Sequence, residues 1–410
     1  MISFSNFDKS ESDTIRFDVE NCNSSFVNAI RRTIITDVQT VSFDTEDYNN
    51  SDLKVLKNTT SLHNEFILHR MGMIPINVQN IEDFNPDMYK FTIDKSNKTQ
   101  NIIDVTTNDI EILNLETNEK EDNEQFFPKN SITGDHILII KLKPNPNGDG
   151  QSIHLEGKCS KKSGSSHIRY SPVSNVLFIN KKDPELADKE FNKYVYDLQE
   201  EQGKQFTESE MKKIAKTFFI DNSERYFYMD ENNDPNRFEF TIETVGVIEP
   251  HRILISSMKS LSDKIKNTVM ELEKELSGKP STIKIKESEC VMKSFDVIID
   301  GESHTLGHLL QSYINKNYKD QDIFVGYMNP HPLQKEIFLR IKTEDLNMLR
   351  EIIVSTCNML TETLFQLREV VLKEFEGKVV MKLKKPKKAK KQVSEPEPTQ
   401  SDIEPQVISN

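Results

Sequence analysis

The chain has 410 residues, enough for two or three domains with cores of their own. Lys and Arg number 53 against 66 Asp and Glu, a net charge of −13, which argues against direct nucleic-acid binding by the body of the protein. The four cysteines, Cys22, Cys159, Cys290 and Cys357, are too scattered for a disulfide framework or a cysteine zinc knot, and no run nears the ~20 apolar residues of a membrane helix or reads as a signal segment, so a soluble protein of a reducing, intracellular compartment is expected.

Residues 1–47 read as strand, helix, strand. Ile15, Phe17 and Val19 alternate as in a half-buried strand. Asn23 or Ser24 can cap the helix that follows, whose apolar face is Phe26, Val27, Ile30 and Ile34, with Arg31 and Arg32 on other faces. Residues 48–180 change to short strands with turn-rich joints, such as Pro144 to Gly150, and read as an inserted β-rich domain. Residues 181–235 form a charged insertion with a helix around Ser209 to Phe219 and a turn at Asn232 to Pro235; no function is assigned to it.

Clean alternation returns at Phe238, Phe240 and Ile242, and Pro250 then suits the first turn of a helix. In that helix Leu254, Met258, Leu261, Ile265, Val269, Leu272 and Leu276 make a single stripe that stops at Ser277-Gly278-Lys279-Pro280. Residues 236–278 therefore complete the domain begun by 1–47, and 279–290 is a linker, part of a connection of about 15 residues, able to reach about 50 Å. Residues 291–378 repeat the pattern. Phe295, Val297 and Ile299 precede a helix opening at His304-Thr305-Leu306-Gly307-His308, and the strand Glu336 to Ile341 leads into a final helix. That helix carries Leu346, Leu349, Ile353, Leu360, Leu364, Leu367, Val371 and Phe375, with Thr356 filling the one gap, and at ~1.5 Å per residue it is about 45 Å long. Residues 379–410 run from the lysines at 384–391 into an acidic, Pro-rich tail whose composition cannot repay ordering. The lysine run reads as a nuclear address, a phosphate contact or simply a solvated tail.

One grammar thus occurs twice, and neither half can bury its stripe alone. The economical solution is an α+β chain whose halves bury each other as an intramolecular pseudo-two-fold heterodimer, with Leu261, Ile265 and Leu272 meeting Leu360, Leu364 and Leu367 in the core.

Catalytic patterns fail one by one. His63, Glu65 and His69 lack the four-residue histidine spacing and adjacent glutamate of a zinc protease helix. His304 and His308 are four apart but lack a third ligand or general base, and read better as cap-region histidines. There is no phosphate loop, no dinucleotide fingerprint and no nucleophile in a recognisable setting. No catalytic residue and no cofactor is expected on this chain.

Several motifs resemble the α-like assembly subunits of cellular and viral DNA-directed RNA polymerases: the bacterial α amino-terminal domain, the archaeal D and L subunits, and the third-largest and eleventh subunits of RNA polymerase II. Asn28-Ala29-Ile30-Arg31-Arg32 is similar to the larger type's N-A-L-R-R, and Asn58 to Pro75 (NTTSLHNEFILHRMGMIP) to its N-x-S-x-L-x-D-E-F-I-x-H-R-L-G-x-I-P. Gly164 to Val173 and Phe238 to Gly246 match two further segments. HTLGHLLQ (304–311), Gly326 to Leu333 (GYMNPHPL) and Leu339 to Thr343 (LRIKT) are similar to the smaller type.

The resemblance implies two α-like dimerisation domains, the first interrupted by the inserted domain. Both types in one polypeptide look like the fused form of some large cytoplasmic DNA viruses, which implies a place in the virion and host cytoplasm, with the nucleus as the other option. It further implies a scaffold that docks the largest and second-largest polymerase subunits and a small subunit of the same assembly, without active-site contact to DNA, membrane or a small-molecule substrate. On that reading Asn28, Arg31, Arg32, Glu65, His69 and Arg70 form the partner interface. The alternative is a free-standing interaction scaffold of the same fold. Two departures matter: His308 and Gln311 replace the smaller type's usual asparagine and arginine, and no cysteine cluster stands between residues 76 and 160, where many third-largest subunits carry zinc. Elemental analysis of the purified chain is expected to find no stoichiometric zinc; one tightly held zinc per chain would overturn that.

Overall fold

A computed structural model describes residues 2–8, 10–145, 148–222, 224–288 and 293–377. Cys290, the lysine run and the rest of the tail from 379 lie outside the described residues. In chain order β1 (Ser3–Asp8) and β2 (Thr14–Glu20) lead into α1 (Ser24–Thr36). Asn23 caps that helix, its Oδ1 accepting from the Phe26 amide at 3.1 Å. Next come β3 (Gln39–Ser42), β4 (Leu53–Asn58), α2 (Asn64–Gly72), β5 (Tyr89–Ser96), β6 (Ile103–Thr106), β7 (Glu111–Asn114), α3 (Asn123–Phe126), β8 (Leu138–Leu142), β9 (Ser152–Gly157) and β10 (Ser160–Ser163). The chain then forms β11 (Val173–Asn180), α4 (Pro184–Gln202), α5 (Glu208–Asp221), β12 (Arg237–Thr244) and α6 (Pro250–Leu276). It closes with β13 (Ile283–Glu287), β14 (Ser294–Asp300), α7 (His304–Asn317), β15 (Val325–Met328), β16 (Glu336–Lys342) and α8 (Leu346–Glu376).

Two antiparallel four-stranded sheets carry the repeated grammar: β1-β2-β12-β11 and β13-β14-β16-β15. In each, the strand before the short helix pairs with the strand before the long one, Phe17 facing Phe240 and Val297 facing Leu339. The sheets' inner faces and helices α1, α6, α7 and α8 share one apolar core that runs through both halves, while the inserted β4-β9-β5-β7 sheet has a separate core around Phe43, Phe91, Ile93 and Leu155. Helices α6 and α8 lie antiparallel, Arg350 near the start of α8 donating to Glu273 near the end of α6 at 2.7 Å. Leu261, Ile265, Leu272, Leu360, Leu364 and Leu367 are all buried between the halves. Across the other helix pair Asn23 Nδ2 donates to Ser312 Oγ at 2.6 Å and Arg32 Nε to Thr305 Oγ1 at 2.8 Å. This is an α+β chain with two dimerisation domains.

The structure moves two boundaries and adds a helix. Strand β11, placed by sequence within the inserted domain at 48–180, pairs with β12 along its length and belongs to the first dimerisation sheet, because Val173 and Val176 face the shared core. The linker assigned to 279–290 contains β13, which pairs with β14 and buries Ile283, so only residues 277–282 separate α6 from the second sheet. The charged insertion holds two helices: α4, missed from sequence, is capped by Asp183, with Pro184 in its first turn, and packs Phe191 and Tyr194 on Phe218 of α5.

The short connection is tied down by Glu271, whose carboxylate accepts from Lys274, from the Thr282 amide at 3.0 Å and from Ser281 Oγ at 3.2 Å. These bonds, led by Lys274, hold its pKa down to about 2. The folded value lies below the ordinary 4.5, so this stabilisation is complete above about pH 4.5 and lost as the pH falls through about 2. Glu271→Gln is expected to flatten the acid limb of a stability-against-pH curve measured by urea unfolding. Leu364→Ala is expected to cost about 2–5 kcal/mol by the same method, and Leu364→Lys to give insoluble or dissociated halves. A soluble, cooperatively folding Leu364→Lys chain would contradict the shared core.

Candidate functional site

The two adjacent arginines of α1 have different duties. Arg32 is half-buried, and its Nε is bonded to Thr305 of the second half. Arg31 sits on the next face, oriented by Asn28, whose Oδ1 accepts from Arg31 Nε at 3.0 Å. Burial and the neighbouring Arg32 charge both lower the Arg31 pKa, but a guanidinium starts so high that it stays charged. Asn28 thus fixes the orientation of a half-buried guanidinium.

Helix α2 divides cleanly. Ile67, Leu68 and Met71 enter the inserted domain's core, and Glu65, His69 and Arg70 face outward. Arg70 Nη2 is held by the Leu138 carbonyl at 2.9 Å. Between these polar groups stand Phe66, 67% exposed, and Met73, 52% exposed, with Ile168 exposed nearby in the chain segment that packs on the end of α2. Sequence reasoning missed these apolar groups. The signal was available, since a helix with Phe66, Ile67 and Leu68 in a row cannot bury all three on one face.

That packing rests on Arg169. Its side chain is only 1% exposed, yet Nη1 donates to the Phe43 carbonyl at 3.0 Å and Thr45 Oγ1 at 2.9 Å, Nε donates to His167 Nδ1 at 3.1 Å, and Nη2 pairs with Glu46. His167 Nδ1 accepts, so its proton belongs on Nε2, which lies 3.1 Å from Glu46. The guanidinium covers Gly72, where a Cβ would strike it and Thr45 Oγ1. Ser42 Oγ donates to the Gly72 carbonyl at 3.1 Å and Thr40 Oγ1 to the Tyr170 carbonyl at 2.8 Å, and the Ser165 amide reaches the Thr36 carbonyl at the end of α1 at 2.9 Å. Three separate segments, 36–46, 65–73 and 165–170, therefore form one braced surface.

On the second half, His304 and His308 both lie against Tyr327, His304 Nδ1 3.3 Å from its hydroxyl. A Cβ on Gly307 would lie 2.7 Å from the same ring, which accounts for glycine at that turn of α7. Among the described residues no group of three or more His, Cys, Asp or Glu is placed to hold a metal ion. Buried Cys22, Cys159 and Cys357 have thiol pKa values raised to about 12 by desolvation, so none offers a ready thiolate.

Two family models, each described as the RNA polymerase Rpb3/Rpb11 dimerisation domain, match the chain, one over residues 16–265 and the other over 294–370. The chain is 26% identical over 292 residues to a conjugation stage-specific protein of Tetrahymena thermophila, covering 61% of this chain and 88% of that one. It is 26% identical to the DNA-directed RNA polymerase subunit Rpo3 of Pyrococcus furiosus, covering 64% of this chain and 94% of the relative. Against the DNA-directed RNA polymerase II subunit RPB3 of Schizosaccharomyces pombe the identity is 24%, covering 71% and 95%.

Gly72→Ala is expected to destabilise the chain by about 1–3 kcal/mol through overpacking against the Arg169 guanidinium. Arg169→Ala is expected to cost about 2–4 kcal/mol by leaving its buried acceptors unpaired. The double mutant should cost less than the sum, because the guanidinium's share of the clash disappears while that of Thr45 remains; additive urea-unfolding energies would show that the two do not touch.

Proposed function

Because this chain belongs to the Rpb3/Rpb11 family of α-like RNA polymerase subunits, we propose that it acts as a non-catalytic scaffold on which the largest and second-largest subunits and a small subunit of the same polymerase assemble. The observation that carries the reading is the braced surface around α2, where apolar Phe66 and Met73 stand exposed among Glu65, His69 and Arg70 on a rigid support. Apolar anchors within a polar rim are what a protein interface needs, and a rigid base lowers the cost of ordering on binding. Arg31, aimed by Asn28, adds a second contact suited to a carboxylate or a backbone carbonyl of the second-largest subunit.

Both dimerisation domains in one polypeptide support the further reading that this is the fused subunit of a large cytoplasmic DNA virus, working in the virion and host cytoplasm, with the nucleus as the other site. The scattered cysteines support a subunit that needs no zinc or other cofactor of its own.

Affinity purification of the full chain from its native source is expected to recover two very large subunits and a small one, read by mass. Arg31→Glu combined with Phe66→Asp should leave the circular-dichroism spectrum and cooperative unfolding unchanged while lowering recovery of the second-largest subunit by about tenfold or more, since anchor residues dominate interface energy. Recovery of neither large subunit by the wild-type chain would favour the free-standing scaffold.

A further inference from the structure

The halves of the clasp are alike enough that each is a conceivable partner for its own kind. Equivalent positions follow from the structure. Asn23 and Ser303 occupy the N-cap positions of α1 and α7, and the buried Leu254, Met258, Leu261 and Ile265 of α6 recur at constant spacing as Leu349, Ile353, Thr356 and Leu360 of α8. By that correspondence Lys264 and Asp37 of the first half stand where Met359 and Asn317 stand in the second. Their contacts match as well: Lys264 Nζ donates to Asp37 Oδ2 at 2.9 Å, and Asn317 Nδ2 to Met359 Sδ at 3.4 Å.

Two ion pairs break the symmetry. Lys264 lies 3.7 Å from Glu302 of the second half, and Arg350 of the second half donates to Glu273 of the first at 2.7 Å. The position equivalent to Glu302 is Cys22, that of Glu273 is Arg368, and that of Arg350 is Ile255. If two second halves paired, Arg350 would meet Arg368. Glu302, whose side chain is 16% exposed, would meet Met359 with no cation beside it. Burial already raises the Glu302 pKa in the presence of Lys264, so the carboxylate is poorly solvated there. If two first halves paired, Lys264 would lose one of its two carboxylates and Glu273 would face Ile255. Like charges and an uncompensated buried carboxylate both raise the energy of the wrong pairing.

We infer that Lys264, Glu302, Glu273 and Arg350 form a charge code by which the first half selects the second and refuses a second copy of itself, so that the chain closes on itself as a monomer.

The test uses the full-length chain carrying Met359→Cys. In a pairing of two second halves Arg350 lies opposite Arg368, so Met359, midway between them, lies on the axis and meets its own copy. In the native clasp it faces the first half. After refolding from denaturant, a short bis-maleimide is expected to cross-link this chain barely above a control that keeps Met359. Adding Glu302→Lys and Arg350→Glu should raise the cross-linked dimer about tenfold, and adding Lys264→Glu and Glu273→Arg as well should lower it again by several-fold, stopping above the starting level because Arg350→Glu still attracts Arg368 of a second copy. Cross-linking that does not rise with the first two reversals, or does not fall with the second two, overturns the code. If the half-reversed chain precipitates, the fully reversed chain decides: soluble and monomeric by light scattering supports the inference, and precipitation of that chain too overturns it.

Discussion

Burial of two apolar stripes against each other is the constraint on which the rest of this structure depends. Helices α6 and α8 pack their stripes on each other, and α1 and α7 lie against them and against the sheets. The halves therefore share one core. Their joint core is continuous from Phe17 and Phe240 on one sheet to Val297 and Leu339 on the other. Hydrophobic contact of this kind is strong but indifferent to partner, and the polar rim supplies what it lacks. Arg32 with Thr305, Asn23 with Ser312, and the ion pairs of Lys264 and Arg350 set which surfaces meet and in what register.

The same division of labour holds in the inserted domain. Its own core stands apart from the clasp, so it can present a surface without disturbing the helices beneath. The two are coupled by β3, which leaves α1 and pairs with β10, by the Arg169 side chain that gathers loop 43–46, His167 and Gly72, and by Gln79 and Ile81, which meet the segment leading into α6 and both cores. A buried guanidinium satisfied by four acceptors is stiff, because any displacement strands a charge. The exposed Phe66 and Met73 are therefore carried on a support that has little freedom to yield.

Much of this was legible in the sequence where the signal was local. The stripes of α6 and α8, the cap at Asn23 and the alternation of β2, β12 and β14 follow from helix and strand periodicity within a few turns. Strand β11 was not legible, because its partner β12 lies beyond a charged insertion of two helices and its exposed Leu177 and Ile179 blur the alternation. Helix α4 hid for the opposite reason: it is polar on most faces, with only Val195 buried. In β13 the alternation of Ile283 and Ile285 with lysines was present and was overlooked as linker. The bond from Arg32 to Thr305 joins residues far apart in the chain, so no local pattern announces it. The role of Arg169 depends on three segments meeting in space, which no short-range pattern records.

The route from α6 to the second sheet is only six residues long and ends in a strand that is itself an edge of that sheet. A gene fission that respected the architecture would have to fall between Ser277 and Ser281, upstream of β13. A cut placed later would leave β13 on the wrong product and strip β14 of a neighbour.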